Sequence, residues 1–94
     1  GYHPLQGAAI GNLSPALSDQ IGFNMFSSGV VILEIANSSA ALRLGFRPLD
    51  IVFEINKTKV TSVRHLQMLL ARQSKQWLIS VSRNGKLISM MVRP

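Results

Sequence analysis

Two histidines, four acids and no cysteine bound the side-chain chemistry open to this 94-residue chain. Nucleophilic hydrolysis needs a nucleophile, a base to take its proton and a group to orient that base. His3 and His65 are the candidate bases, and neither accompanies a Gly-x-Ser-x-Gly elbow. A lone histidine on a helix or in a terminal segment is ordinarily a surface residue. Asp19, Glu34, Asp50 and Glu54 show no motif for a metal site or an acid/base pair. Asp50, just ahead of Ile51, reads as a turn residue whose carboxylate accepts local N–H groups. No phosphate loop is present, so the chain is expected to be catalytically inert, with no cofactor and no metal.

The backbone offers a different chemistry. In Leu5-Gln6-Gly7-Ala8, free N–H groups at Gln6, Gly7 and Ala8 can take up a peptide's terminal carboxylate. Ala9-Ile10-Gly11-Asn12-Leu13 then reads as a short strand weakened by small residues, beside which a peptide can add as a further strand. On spacing alone, a first edge strand of poor propensity is the simpler reading.

The elements that must position such a site follow from the hydrophobic pattern. Val30, Val31, Ile32, Leu33 and Ile35 form a β-branched run between Ser27-Ser28-Gly29 and Asn37-Ser38-Ser39, which predicts a strand. Ser38 or Ser39 can cap a helix of barely two turns over Ala40 to Leu44, closed by Gly45. Phe46 to Asp50 turns the chain. Ile51, Phe53 and Ile55 then alternate with Val52, Glu54 and Asn56, predicting a second strand with one face buried and the other mixed.

Earlier in the chain, Ser14-Pro15 starts a short helix through Leu17 and Ile21 to Gly22, and the following loop carries an apolar Phe23, Met25 and Phe26. Burial is the simpler reading for those three, and contact with a neighbouring domain is the alternative. Later, Thr58 to Val60 forms a short strand, and Thr61 or Ser62 caps a helix reaching about Gln73. Val63, Leu66, Met68, Leu69 and Leu70 give that helix more than one apolar face. Leu66, Leu69 and Gln73 share one side, while Val63, Gln67 and Leu70 share the next. Trp77, Ile79 and Val81 alternate with polar neighbours up to Asn84-Gly85, a hairpin turn, and Leu87 to Val92 returns.

A chain of this length, 47% hydrophobic, supports one modest core and a single domain over 1–94, with residues 1–4 expected as a disordered or extraneous start. No apolar run approaches the ~20 residues of a membrane span, and the start lacks a signal segment. Membrane insertion is therefore not expected. The absence of cysteine excludes a disulfide framework and a thiolate zinc site, and fits either redox compartment. A net charge of +6 invites a polyanion partner. The ten basic residues are never adjacent, however, and the aromatics are not interleaved with them, so no nucleic-acid partner is expected.

The motifs "GVVI", "NSSAA", "LGF", "LDIV" and "IN", followed by Val60, resemble the centre of a bacterial PDZ domain. Leu5-Gln6-Gly7-Ala8 and Leu13-Ser14-Pro15-Ala16-Leu17 extend the resemblance to the PDZ repeats of the HtrA (Deg) serine proteases, over nearly the whole chain. Ser39 stands where that pattern usually has Pro, and Leu49 and Lys57 stand where it usually has Gly, all three in turns. The resemblance implies an α+β, mainly β fold: a small curled antiparallel sandwich of five to six strands capped by two or three short helices. It also implies that Leu5-Gln6-Gly7-Ala8 is a carboxylate-binding loop. Ile10 would then line a peptide groove whose opposite wall is Val63, Gln67 and Leu70.

The implied partners are C-terminal or unfolded peptide segments, together with the protease domain and other subunits of an exported parent enzyme in the periplasm or cell envelope. The catalytic domain would lie outside this chain, and the second PDZ of such a parent is the nearest counterpart. Two other readings rest on the residues. An assembly module would use Phe23, Met25 and Phe26 as contacts, and a basic β module would bind nucleic acid in a salt-dependent way.

Overall fold

The β-branched run Val30–Ile35 becomes β2, and the strands around it build one antiparallel sheet. The computed structural model describes residues 3–13, 29–72 and 75–93. Through these the chain runs β1 (Ala8–Asn12), β2, α1 (Ala40–Arg43), β3 (Ile51–Ile55), β4 (Thr58–Lys59), α2 (Val63–Ala71), β5 (Trp77–Arg83) and β6 (Lys86–Val92). The order across the sheet is β1-β2-β3-β5-β6, with β4 paired to β3. Six antiparallel strands with two short helices agree with the expected class. The helix expected from Ser14 and the apolar trio Phe23, Met25 and Phe26 lie outside the described residues.

The core draws on every long element. Val30 and Ile32 of β2, Trp77, Ile79 and Val81 of β5, and Leu66, Leu69 and Leu70 of α2 form one cluster with Leu5 and Phe46. Alternation holds in β5 from Trp77 to Val81, ahead of a buried Ser82, and fails in β3. Val52 and Ile55 enter the cluster, in place of the expected Ile51, Phe53 and Ile55 set. The cause is a shift in the β3–β5 register between Val52 and Glu54, where an extra residue changes which side chains face the core. Ile51 is buried outside that cluster.

Helix α2 is shorter than its apolar pattern suggests. Ser62 caps it by accepting from the His65 N–H at 3.1 Å, and the chain is already extended at Arg72. Gln73, to which the helix was expected to reach, lies outside the described residues. His65 accepts the Thr61 N–H through Nδ1 at 3.2 Å, a local bond that steadies the helix entry. Met68, counted above among the apolar positions, is 57% exposed.

Turn geometry explains two departures from the family pattern. Asn84 and Gly85 take left-handed conformations, φ 52° and 80°, and join β5 to β6 as a two-residue loop. Asn56 and Lys57 do the same between β3 and β4, at φ 48° and 69°, and Leu49 sits at φ 72°. At Leu49 and Lys57 the backbone keeps the left-handed form that glycine favours, although both residues carry a Cβ. Each such residue costs roughly 1–2 kcal/mol. Asn56 offsets part of this by bonding Leu78 twice, N–H to carbonyl and Oδ1 from N–H, both at 2.7 Å.

The second turn is held by charge. Asp50, 1% exposed, accepts from Arg47 N–H at 3.0 Å, as expected of a turn residue. It also accepts from Arg83 Nε at 2.9 Å and Nη2 at 2.8 Å. Arg83 Nη2 reaches the Gly45 carbonyl as well, at 2.9 Å, so one guanidinium fastens both ends of the turn to the end of β5. Hydrogen bonding to the Asp50 carboxylate raises the Arg83 guanidinium above its ordinary value.

Replacing Leu49→Gly or Lys57→Gly should raise the unfolding free energy by about 0.5–1 kcal/mol each, because relief of the left-handed strain exceeds the entropy cost of glycine. Urea denaturation with an unchanged slope would register the gain. Asp50→Asn should lower it by about 2 kcal/mol, less than for a wholly buried pair, because water already reaches the Arg83 side chain.

Candidate functional site

The site begins at a glycine that cannot be anything else. Gly7 has φ +94°, and a Cβ built on it would fall directly on the Ser39 side chain. The close approach is fixed by two further bonds. Ala36 N–H donates to the Gly7 carbonyl at 2.8 Å, and Ala41 N–H donates to the Gln6 carbonyl at 3.1 Å. Ser39, meanwhile, caps α1 by accepting the Leu42 N–H at 3.2 Å. Loop 5–8 is therefore bonded to the corner between β2 and α1, with the buried Leu5 anchoring it in the core.

The loop amides are arranged differently from the expectation. Of the three N–H groups expected to be free, Gln6 donates to the His3 carbonyl at 3.3 Å and Ala8 donates to the Leu5 carbonyl at 3.1 Å. Both close tight turns inside the loop. The Gly7 N–H has no backbone acceptor among the described residues. Pro4 is buried, and the His3 carbonyl accepts the Gln6 N–H. The buried His3 Nδ1 has no partner among the described residues, and burial holds the imidazole below its usual value.

After the loop, β1 pairs antiparallel with β2 along one side, and no described strand pairs with its other side. Helix α2 forms the opposite boundary. Asn12, at the far end of β1, accepts the Val63 N–H through Oδ1 at 2.7 Å and ties the first turn of α2 to the strand. Ala8, Ile10 and Val63 are half-buried and pack against the core, while Gln67 is exposed. Leu5 and Leu70 are buried within the core. The expected lining thus divides: Ala8, Ile10, Val63 and Gln67 are accessible, and Leu5 and Leu70 support them from beneath. Asn12 was not foreseen, because nothing local marks an asparagine as the partner of an amide 51 residues away.

The first strand thus leaves one edge that no described strand pairs, between a glycine loop and a helix. The PDZ domain family matches residues 20–93, and the chain belongs to it. Two curated relatives are each described as a "Probable periplasmic serine endoprotease DegP-like". The one from Chlamydia pneumoniae is 23% identical over 82 residues, covering 87% of this chain and 17% of the relative. That from Chlamydia muridarum (strain MoPn / Nigg) is 22% identical over 86 residues, covering 92% and 17%.

Among solved structures, the HtrA3 PDZ domain bound to a phage-derived ligand (FGRWV) is similar with a TM-score of 0.78 and 25% identity, over 94% of this chain and 81% of that one. The HtrA-type protease AlgW with a decapeptide shares the fold at a TM-score of 0.77 and 24% identity, over 93% and 27%. The relatives support an HtrA-type PDZ domain. The chain spans about one sixth of the curated relatives it matches, and the HtrA protease domain is not among its 94 residues.

Gly7→Ala should lower the melting temperature by several degrees, since the added methyl meets Ser39 while the residue must also hold a left-handed backbone. Amide resonances of 36–41 should shift with it.

Proposed function

We propose that this domain is the non-catalytic peptide-binding module of an HtrA-type serine protease, taking apolar C-terminal or unfolded segments by strand addition to β1. The observation that carries this reading is the edge of β1, between loop 5–8 and α2, that no described strand pairs. Backbone pairing along Ala8 to Asn12 supplies affinity without regard to sequence, and Ala8, Ile10, Val63 and Gln67, backed by Leu5 and Leu70, supply preference.

The ligand lies antiparallel to β1 with its terminal carboxylate at loop 5–8. Gly7 N–H receives the carboxylate first. The Gln6 and Ala8 amides join by sharing or releasing their turn bonds, a cost that weakens the complex. The small Ala8 and polar Gln67 make a shallow, permissive pocket, and a free peptide binds at a Kd on the order of micromolar or weaker.

The parent is an exported endopeptidase, the domain regulates substrate capture or assembly beside the protease domain and other subunits, and it works in the periplasm or cell envelope. The description of both curated relatives as periplasmic serine endoproteases supports these.

An NMR titration with peptides ending in free apolar carboxylates, alongside amidated controls, tests the binding reading. Shifts in 5–12 and 63–70 that vanish on amidation are the expected result. Absence of shifts at millimolar peptide would overturn it.

A further inference from the structure

The two walls of the groove touch across its upstream end. Asn12 Oδ1 and Val63 N–H meet at 2.7 Å, and the asparagine belongs to the strand wall while the amide belongs to the helix wall. Val63 is the first residue of α2, and its N–H is one of the four that a helix leaves without an internal acceptor. Ser62 satisfies the amide of His65, and Asn12 satisfies that of Val63. The helix start is therefore capped twice, once from its own chain segment and once from the far side of the groove.

The reach of that bond sets a length. A ligand paired antiparallel to β1 with its last residue opposite Ala8 advances about 3.3 Å per residue, so Asn12 stands opposite the fifth residue counted from the terminus, four steps or ~13 Å away. Along the helix, Val63 to Leu70 spans ~10 Å. The strand segment and the helix segment match in length, and the bond crosses where the ligand's fourth or fifth residue would have to pass.

Resting on the peptide-binding reading above, we infer that the Asn12 side chain is a specificity-determining bar across the groove, restricting recognition to the last three or four residues of a free C-terminus. A longer segment must displace Asn12 from Val63 before its upstream residues can pair with β1. The bond it breaks offsets the pairing it gains. Internal segments, which need room at both ends, are discriminated against by the same bar.

The test is a length series on the 94-residue chain: tri-, tetra-, hexa- and decapeptides sharing one apolar C-terminal sequence, titrated into wild type, Asn12→Ala and Asn12→Asp. In wild type, affinity should rise to the tetrapeptide and then stay within about twofold. In Asn12→Ala the decapeptide should gain roughly fivefold over the tetrapeptide, the worth of one net hydrogen bond. Asn12→Asp keeps an acceptor for the Val63 amide and should restore the wild-type plateau.

A wild-type readout avoids reliance on the variants. The Val63 amide resonance should be unmoved by the tripeptide and should shift with the decapeptide at saturating concentration. Parallel length curves in wild type and Asn12→Ala, or a Val63 amide indifferent to peptide length, would overturn the bar while leaving peptide binding intact. Failure of every peptide to bind every form would instead remove the peptide reading, and the bar with it.

Discussion

The contact between Gly7 and Ser39 governs the rest of the site. With no Cβ at position 7, the loop backbone comes close enough for the Gly7 carbonyl to accept from Ala36 and the Gln6 carbonyl to accept from Ala41. Those bonds set the level at which β1 enters the sheet. The level of β1 in turn decides where Asn12 ends up, and hence where α2 begins. One missing methylene-sized volume thus propagates through a loop, a strand and a helix. The same glycine leaves an N–H with no backbone acceptor among the described residues, and the proposed carboxylate contact is assigned to that amide.

Charge is used sparingly in this frame. The chain carries ten basic residues against four acids, yet the ion pair that matters structurally is short and local to one corner: Asp50 with Arg83. It compensates a buried carboxylate with two guanidinium bonds and one amide bond, which is the circumstance in which a buried charge is tolerated. Another exposed arginine, Arg43, is spent on the Ser38 carbonyl at 2.7 Å, beside the cap of α1. These two cations act on corners, and the proposed lining of Ala8, Ile10, Val63 and Gln67 carries no charge.

Local signals in the sequence led to correct elements where the determining contacts were themselves local. The β-branched run of β2, the serine caps at Ser39 and Ser62, and the Asn84-Gly85 hairpin each depend on neighbours within a few residues. The bulge in β3 was not legible, because it arises from holding register with β5 while also pairing with β2 and β4. The glycine loop was legible as a type of backbone. Its internal turn bonds were not, since Gln6 and Ala8 can donate inward or outward with equal covalent ease. Arg83 and Asn12 escaped notice for one reason: their partners lie 33 and 51 residues away, and neither side chain advertises a distant acceptor or donor.

That 51-residue separation carries a consequence for how the domain acquires its site. Closing so long a loop has to be offset by contacts already made elsewhere, and a single exposed hydrogen bond cannot do so. The Asn12–Val63 bond therefore forms only once α2 has docked on the sheet through Leu66, Leu69 and Leu70. In the reverse direction, a single exposed bond of this kind opens at lower free energy than the buried core strands. On the proposed peptide-binding reading, recognition would then be lost before the core strands part.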